Sequence, residues 1–209
     1  MYNDIGKSIE GNALITKAHR IAIEAIPEDF NIEIDQLHWN NLENRPFLRV
    51  IHCYGLELMK EQNFEKAIKE FEFILKINPN DNQGVRYLII DCLFHLNKPD
   101  KILALCKLYH NDNSVEFLYG KVLASYLLGK KSTAKRQLIK AKEAFPFVAD
   151  ELVKTSHVFP FDEFEHQYGM DGYGYPIGSR QQAFDYWNTT QKFWDKAIDV
   201  KKFIKNSFR

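Results

Sequence analysis

Cysteine is scarce in this chain, and net charge is absent. The three cysteines, Cys53, Cys92 and Cys106, have none of the short spacings typical of metal sites, and all fall on apolar helix stripes. We therefore expect three buried, reduced thiols. The 28 basic residues equal the 28 acidic residues, so no overall field draws the protein to nucleic acid or to an anionic membrane.

Long apolar runs are also missing. No stretch approaches the roughly 18 consecutive apolar residues of a membrane-spanning helix. The amino-terminal part lacks the basic start and apolar run of a signal peptide. The sequence therefore predicts a cytoplasmic protein without membrane contacts, and delivery into a host cell is compatible with the same pattern.

Residues 48–81 carry the clearest structural signal. Apolar side chains recur there at spacings of three and four residues, in a first half and again in a second half, as in two amphipathic helices. Only residues 61–63 separate the halves, so the helices must run antiparallel and bury their stripes against each other. Asn78-Pro79 ends the second helix, because proline disfavours a helical conformation in the residue before it.

The hairpin recurs along the chain. Ala67, Phe71 and Pro79 return 67 residues later as Ala134, Leu138 and Pro146. A degenerate copy between them has helices over residues 85–96 and 101–109, and a period of about 34 residues is typical of tetratricopeptide repeats. Gly55 and Ala67 are small where two helices of such a pair approach most closely. The sequence therefore predicts an all-α fold, a tetratricopeptide-like stack of antiparallel helix hairpins (an α-solenoid) with a capping C-terminal helix.

We expect a single domain of 209 residues. Its predicted parts are a capping helix and acidic connector (1–44), three hairpin repeats (45–146), an aromatic and glycine-rich loop region (147–178) and a C-terminal capping helix (179–209). Ser179 and Gln182 form a capping box that opens a single last helix from 180 to about 206. The first helix, over residues 12–26, is predicted to bury Leu14, Ala18, Ile21, Ala22 and Ala25.

The polar segment 78–86 between two repeats has two open interpretations. In the first, Asp81 or Asn82 accepts the free N–H groups that begin the next helix. Arg45, Arg49 and Arg86 then pair with acidic connector residues such as Asp35 or Glu43. In the second, the three arginines face the groove and anchor an acidic ligand.

Two segments also resemble a known family. The runs Arg45-Pro46-Phe47-Leu48-Arg49 and Asn78-Pro79-Asn80-Asp81-Asn82-Gln83-Gly84-Val85-Arg86 are similar to "RPYxRA" and "NPNDNQGxR" in a family of bacterial tetratricopeptide proteins. The resemblance extends over about residues 45–204. Such modules often accompany a cysteine-rich SEC-C zinc motif, which this sequence lacks. The resemblance implies a scaffold without catalytic residues.

The first helix of each pair lines the concave wall of a tetratricopeptide stack. On this register we expect the wall, an aromatic and apolar partner-binding surface, to contain Arg49, His52, Leu56, Arg86, Tyr87, Ile90, Tyr119, Leu123 and Tyr126. It lacks the lysines and asparagines of a carboxylate clamp. Our main hypothesis is therefore a non-enzymatic adaptor that binds a protein or peptide segment there, without a cofactor.

A basic segment supports an alternative. Lys131, Lys135, Arg136 and Lys140 lie on one predicted helix and form a possible patch for nucleic acid or for an acidic protein surface. No aromatic residue is interleaved with them, so the stacking platform expected for single strands is missing. A solvated helix face is the more usual explanation of such a run, and nucleic acid is the less expected partner.

A second alternative rests on the loop region. His157, Asp162, Glu163 and His166 are candidate ligands for a metal-dependent enzyme, but they lack the spacing of a helical metal motif. The many phenylalanines around these residues indicate a loop that packs under the last helix. The glycine and tyrosine residues of segment 169–176 are candidates for contact with a ligand, although no phosphate-loop motif is present. We expect neither a metal nor a catalytic residue.

Overall fold

The structure, a computed structural model, describes residues 8–161 and 176–208. These residues form helices and no strand, so the all-α prediction is confirmed for the described part of the chain. The chain divides into two compact units, Met1–Leu96 and Asn97–Arg209. The helices are α1 (Ser8–Glu24), α2 (Asn44–Lys60), α3 (Phe64–Ile77), α4 (Val85–His95), α5 (Pro99–Leu108), α6 (Val115–Leu127), α7 (Lys131–Ala144), α8 (Val148–Leu152), α9 (Arg180–Trp194) and α10 (Val200–Ser207).

The hairpin of α2 and α3 is the core of the first unit. The predicted apolar stripes meet in it, and Leu48, Ile51, Phe71 and Ile74 are completely buried. Gly55 lies directly against the ring of Phe71, since a Cβ atom on Gly55 would fall 2.9 Å from Phe71 Cζ and closer still to Cε1. The prediction that a small residue stands at the closest approach of these helices is therefore confirmed.

Helix α1 packs on the hairpin with the face opposite to the predicted one. Its Asn12 bonds to Glu61, and its His19 bonds to Glu70 at 3.0 Å and stacks on Tyr54. Two of the residues predicted to point inward, Leu14 and Ile21, are instead open to solvent, with exposed fractions of 54% and 52%. The prediction was wrong because both faces of α1 are apolar, and these polar contacts decide between them.

The connector between α1 and α2 is anchored to the hairpin. The backbone N–H of Leu37 donates a hydrogen bond to the Ile77 carbonyl at 2.6 Å. Trp39 lies beneath the guanidinium groups of Arg45 and Arg49, 5.1 and 5.5 Å from its ring centre. These contacts hold the connector against α2 and α3.

Helices α6 and α7 form the hairpin of the second unit and lie within the predicted repeat region 45–146. Ala134, Leu138 and Ala141 of α7 are completely buried. The sequence does not predict the short helix α8, which packs against α9. The middle predicted copy forms both of its helices, but α4 belongs to the first unit and α5 to the second.

The predicted single last helix is two helices. The chain leaves α9 after Trp194, and Asp199 adopts a left-handed conformation (φ 58°) directly before α10. This break places α10 beside α7. The start of α9 is as predicted, because the Ser179 hydroxyl accepts a hydrogen bond from the Gln182 N–H at 3.1 Å.

Two expectations about the whole chain can be compared with the structure. Cys92 and Cys106 are buried, and burial raises the pKa of Cys106 to about 12, but Cys53 is exposed, contrary to the prediction. Among the described residues no helix is both long and apolar enough to cross a membrane. The cellular location and the number of domains stay predictions.

The close contact of Gly55 with Phe71 gives a stability prediction. A Gly55→Ala variant gains up to about 1 kcal/mol of helix propensity, but its methyl group overpacks the hairpin at a cost of about 1–3 kcal/mol. We expect a net loss in the free energy of unfolding, measured by urea denaturation followed by circular dichroism. In a Phe71→Leu background the same substitution should cost less; an equal cost in both backgrounds would contradict the contact.

Candidate functional site

The segment before α4 is a pair of tight turns organised by one carboxylate. The Asp81 side chain accepts hydrogen bonds from the Val85 N–H at 2.7 Å and from the Arg86 N–H at 3.1 Å. Gly84, the residue that directly precedes α4, has no side chain to do this and adopts φ 68°. The prediction that Asp81 caps this helix is confirmed.

Asp81 is also the electrostatic centre of the segment. Its side chain is fully buried and lies 3.1 Å from the Arg86 guanidinium. Burial raises the pKa of Asp81 and outweighs the opposite effect of the backbone N–H groups and of Arg86. Burial also lowers the pKa of His52, and the charge of Asp81 opposes that shift in part. The neutral form of His52 is therefore favoured.

The three arginines of this region contact other groups than the predicted connector carboxylates. Arg86 pairs with Asp81, and its second terminal nitrogen donates to the Tyr87 hydroxyl at 2.9 Å. Arg45 donates to the Trp39 carbonyl at 2.8 Å, and Arg49 lies over the Trp39 ring. The expected pairing with Asp35 or Glu43 is wrong, because Arg45 and Arg49 lie against the Trp39 ring. Arg86 pairs with the nearer carboxylate of Asp81.

Asn78 is a feature that sequence reasoning missed. Its side chain is completely buried, and neither its amide nitrogen nor its amide oxygen bonds to another described residue. The Asn78 side chain therefore does not bond the carbonyl groups at the end of α3. Only the Asn78 backbone does so, through a hydrogen bond to the Ile74 carbonyl at 2.7 Å.

The predicted wall falls into two parts, which lie in different units. Six wall residues lie in the first unit. Five of them keep some solvent exposure, and the sixth, Ile90, is buried. The accessible members are Arg49, His52, Leu56, Arg86 and Tyr87. Here the structure holds two arginines over aromatic rings, because Arg86 also lies 4.8 Å from the centre of the Tyr87 ring.

In the second unit the wall residues Tyr119, Leu123 and Tyr126 are buried. The Tyr119 hydroxyl donates to the Phe145 carbonyl at 3.1 Å, and the Tyr126 hydroxyl donates to the Ile198 carbonyl at 2.7 Å. Both hydroxyl groups therefore bond within the unit. The assignment of these three residues to a partner stays a prediction.

The basic surface of the second unit consists of Lys130, Lys131, Lys135, Arg136 and Lys140 at and on α7, with Lys202 and Lys205 on α10. All seven are exposed. Tyr126 joins the two helices, because its ring lies 4.9 Å from Phe203 of α10 and 5.7 Å from the Lys131 ammonium.

Few carboxylates balance the basic surface. The ion pairs nearest to it along the chain involve its neighbours, Lys142 with Asp150 and Lys201 with Asp195. None of the seven residues of the surface forms an ion pair with another described residue. The predicted patch is thus extended by α10 and has charge available for an anionic partner.

The histidine and carboxylate cluster lies partly outside the described residues, which end at 161 and resume at 176. Asp162, Glu163, His166 and all of segment 169–176 but its last residue fall in that gap. His157 bonds to Glu151 at 2.8 Å and stacks on Trp187 at 3.6 Å between ring centres. Within the described part, no group of three or more potential ligands is placed to hold a metal. The metal hypothesis stays untested.

Comparison with known proteins gives one finding. A family model described as transcriptional repressor TCF25 matches residues 12–193, which is most of the chain. No curated protein and no solved structure gives a significant match. The resemblance to a bacterial tetratricopeptide family with SEC-C motifs is therefore wrong. The residues that carried it, such as Asp81 and Gly84, have turn and capping tasks that unrelated helical proteins share.

The contacts of Asp81 predict a large effect of a small substitution. Asp81→Asn keeps the shape of the side chain but loses one acceptor and the charge that faces Arg86. We expect a loss of about 1–3 kcal/mol in the free energy of unfolding at pH 7, the usual cost of unsatisfied buried polar groups. Urea denaturation measures it. Asn82→Ala, at an exposed neighbour, is the control and should change stability by less than about 0.5 kcal/mol.

Proposed function

We propose that this chain, which belongs to the family of the transcriptional repressor TCF25, is a regulatory factor associated with transcription that acts by binding rather than by catalysis. The observation that carries the proposal is the combination of that family with a basic surface whose seven residues form no ion pair with another described residue. A protein that acts on transcription needs contact with nucleic acid or with proteins bound to it. In this chain the basic surface makes the contact with nucleic acid.

The geometry supports binding to the phosphate backbone. Six of the seven residues of the basic surface are lysines, which offer point charges rather than the bidentate fork that reads bases. Affinity is therefore expected to come from counterion release. The Tyr126 ring packs on Phe203, and the partly exposed Phe208 ring contacts the Lys142 ammonium, whose nitrogen lies 4.3 Å from the ring centre. We therefore propose a duplex as the ligand, bound with little sequence preference.

Salt dependence tests this proposal. Anisotropy of a labelled 20-base-pair DNA duplex should report binding by the whole chain at low salt, with log K falling linearly with log salt. Lys135→Glu/Lys202→Glu should weaken binding and reduce the slope by about one unit for each phosphate that is no longer neutralised.

The control pair lies on exposed positions of α3, in the other unit. Lys66→Glu/Lys69→Glu changes the net charge by the same amount and should leave the slope nearly unchanged. Equal losses of affinity in both double variants, or no binding of the wild type at low salt, would refute nucleic-acid binding by this surface.

A second candidate is the adaptor function of the main hypothesis, restricted to the first unit. The observation that favours it is that the exposed Arg49 lies over the Trp39 ring and the half-exposed Arg86 over the Tyr87 ring. Arginine and aromatic residues are enriched where partners bind tightly. Its partner is proposed to be a protein or peptide.

Tyr87 gives the test of this second candidate. Tyr87→Ala should reduce the recovery of a specific partner in affinity capture with mass spectrometry, while far-ultraviolet circular dichroism stays that of the wild type. The exposed Leu108→Ala variant is the control. A partner set that is identical for all three proteins would argue against binding at Tyr87.

A further inference from the structure

The outer face of α1 carries an apolar stripe that no described residue of the first unit covers. It consists of Leu14, Ala18 and Ile21, and of Ala25 directly after the helix, at spacings that place them on one side. Leu14 and Ile21 are more than half exposed, whereas the opposite face is occupied by the contacts of Asn12 and His19. The stripe extends over about 16 Å of helix.

The stripe ends at a pocket in the same unit. The pocket has a volume of about 270 Å³ and shares Ala25 with the stripe. Its other apolar lining residues are Ile26, Pro27, Phe30, Leu37 and Phe47. Glu43 also lines it. Since small-molecule sites begin at about 300 Å³, this volume suits one bulky side chain better than a cofactor. Stripe and pocket therefore meet at Ala25.

The chain segment that forms most of the pocket is acidic. Residues 21–44 contain six carboxylates and no lysine or arginine. Glu33 pairs with Lys76, and Glu24 lies 3.8 Å from Arg20. Glu28, Asp29 and Glu43 form no ion pair with another described residue. A partner that enters the pocket therefore meets an excess of negative charge.

We propose that the stripe and the pocket bind a basic amphipathic helix of a partner protein, with one large apolar side chain in the pocket and lysine or arginine residues beside Glu28, Asp29 and Glu43. A helix is the fitting occupant because the surface is itself a helix face, with no free strand edge to which an extended peptide can add. This surface is separate from the basic surface of the second unit, so the DNA experiment neither supports nor refutes it.

Synthetic peptides test the chemistry of the occupant. The probe is a labelled 15-residue amphipathic peptide with leucines on one face and lysines on the other, compared with a peptide of the same leucine pattern that carries glutamates. Anisotropy with the whole chain should show at least about tenfold tighter binding of the lysine peptide. A third peptide, with serine in place of leucine, should lose binding by a similar factor.

Matched variants locate the binding surface. Leu14→Ser/Ile21→Ser and Glu28→Lys/Asp29→Lys alter exposed side chains and should each weaken binding of the lysine peptide at least about tenfold. The controls are Leu128→Ser/Ile139→Ser, at exposed apolar positions of the second unit, and Glu72→Lys/Glu143→Lys, with the same change of charge. Both controls should bind like the wild type.

Two results would overturn the proposal. One is equal binding of the lysine and glutamate peptides, or equal loss of affinity in test and control variants. The other is a concentration-dependent dimer in sedimentation velocity that Leu14→Ser/Ile21→Ser abolishes, without peptide binding by the wild type. In that case a second copy of the chain is the occupant.

Discussion

Phe71 occupies the space that Gly55 leaves open, and this contact sets the distance between α2 and α3. Because the helices approach so closely, their apolar stripes can be excluded from water along their length. The position of α3 in turn determines where this helix ends and where the segment that leads to α4 begins. The buried carboxylate of Asp81 can then meet both the first N–H groups of α4 and the Arg86 guanidinium.

Elements with local signals were predictable from the sequence. The period of the apolar residues defines α2, α3, α6 and α7 to within a few residues, and the Ser179 cap identifies the start of α9. The inward face of α1 was not predictable in this way. Its alternative stripes are both apolar, and the choice depends on contacts of Asn12 and His19 with residues about 50 positions away. The break before α10 depends on a single left-handed residue, Asp199, which has no strong sequence signature.

The sequence predicts which residues belong to the candidate sites better than it predicts how those residues are arranged in space. The lysines of α7 stand out in the sequence, but their extension by α10 requires the break of the last helix. The wall residues Tyr119 and Tyr126 were chosen by register, which cannot show that both hydroxyl groups bond to carbonyls of their own unit. The mistaken family resemblance has a similar origin. Glycine, aromatic and proline residues at these spacings meet the packing needs of any helical hairpin and carry little information on ancestry.

The acidic segment beside α1 and the basic surface of α7 and α10 have a consequence for handling the protein. Residues 1–96 contain ten basic and fifteen acidic residues, and residues 97–209 contain eighteen and thirteen, so the halves carry −5 and +5 within a neutral chain. Opposite halves of different molecules attract each other over a Debye length of about 30 Å at 0.01 M salt, which shrinks to about 10 Å at 0.1 M. Added electrolyte therefore increases solubility near the isoelectric point of about 7.1, where dilute buffer favours precipitation.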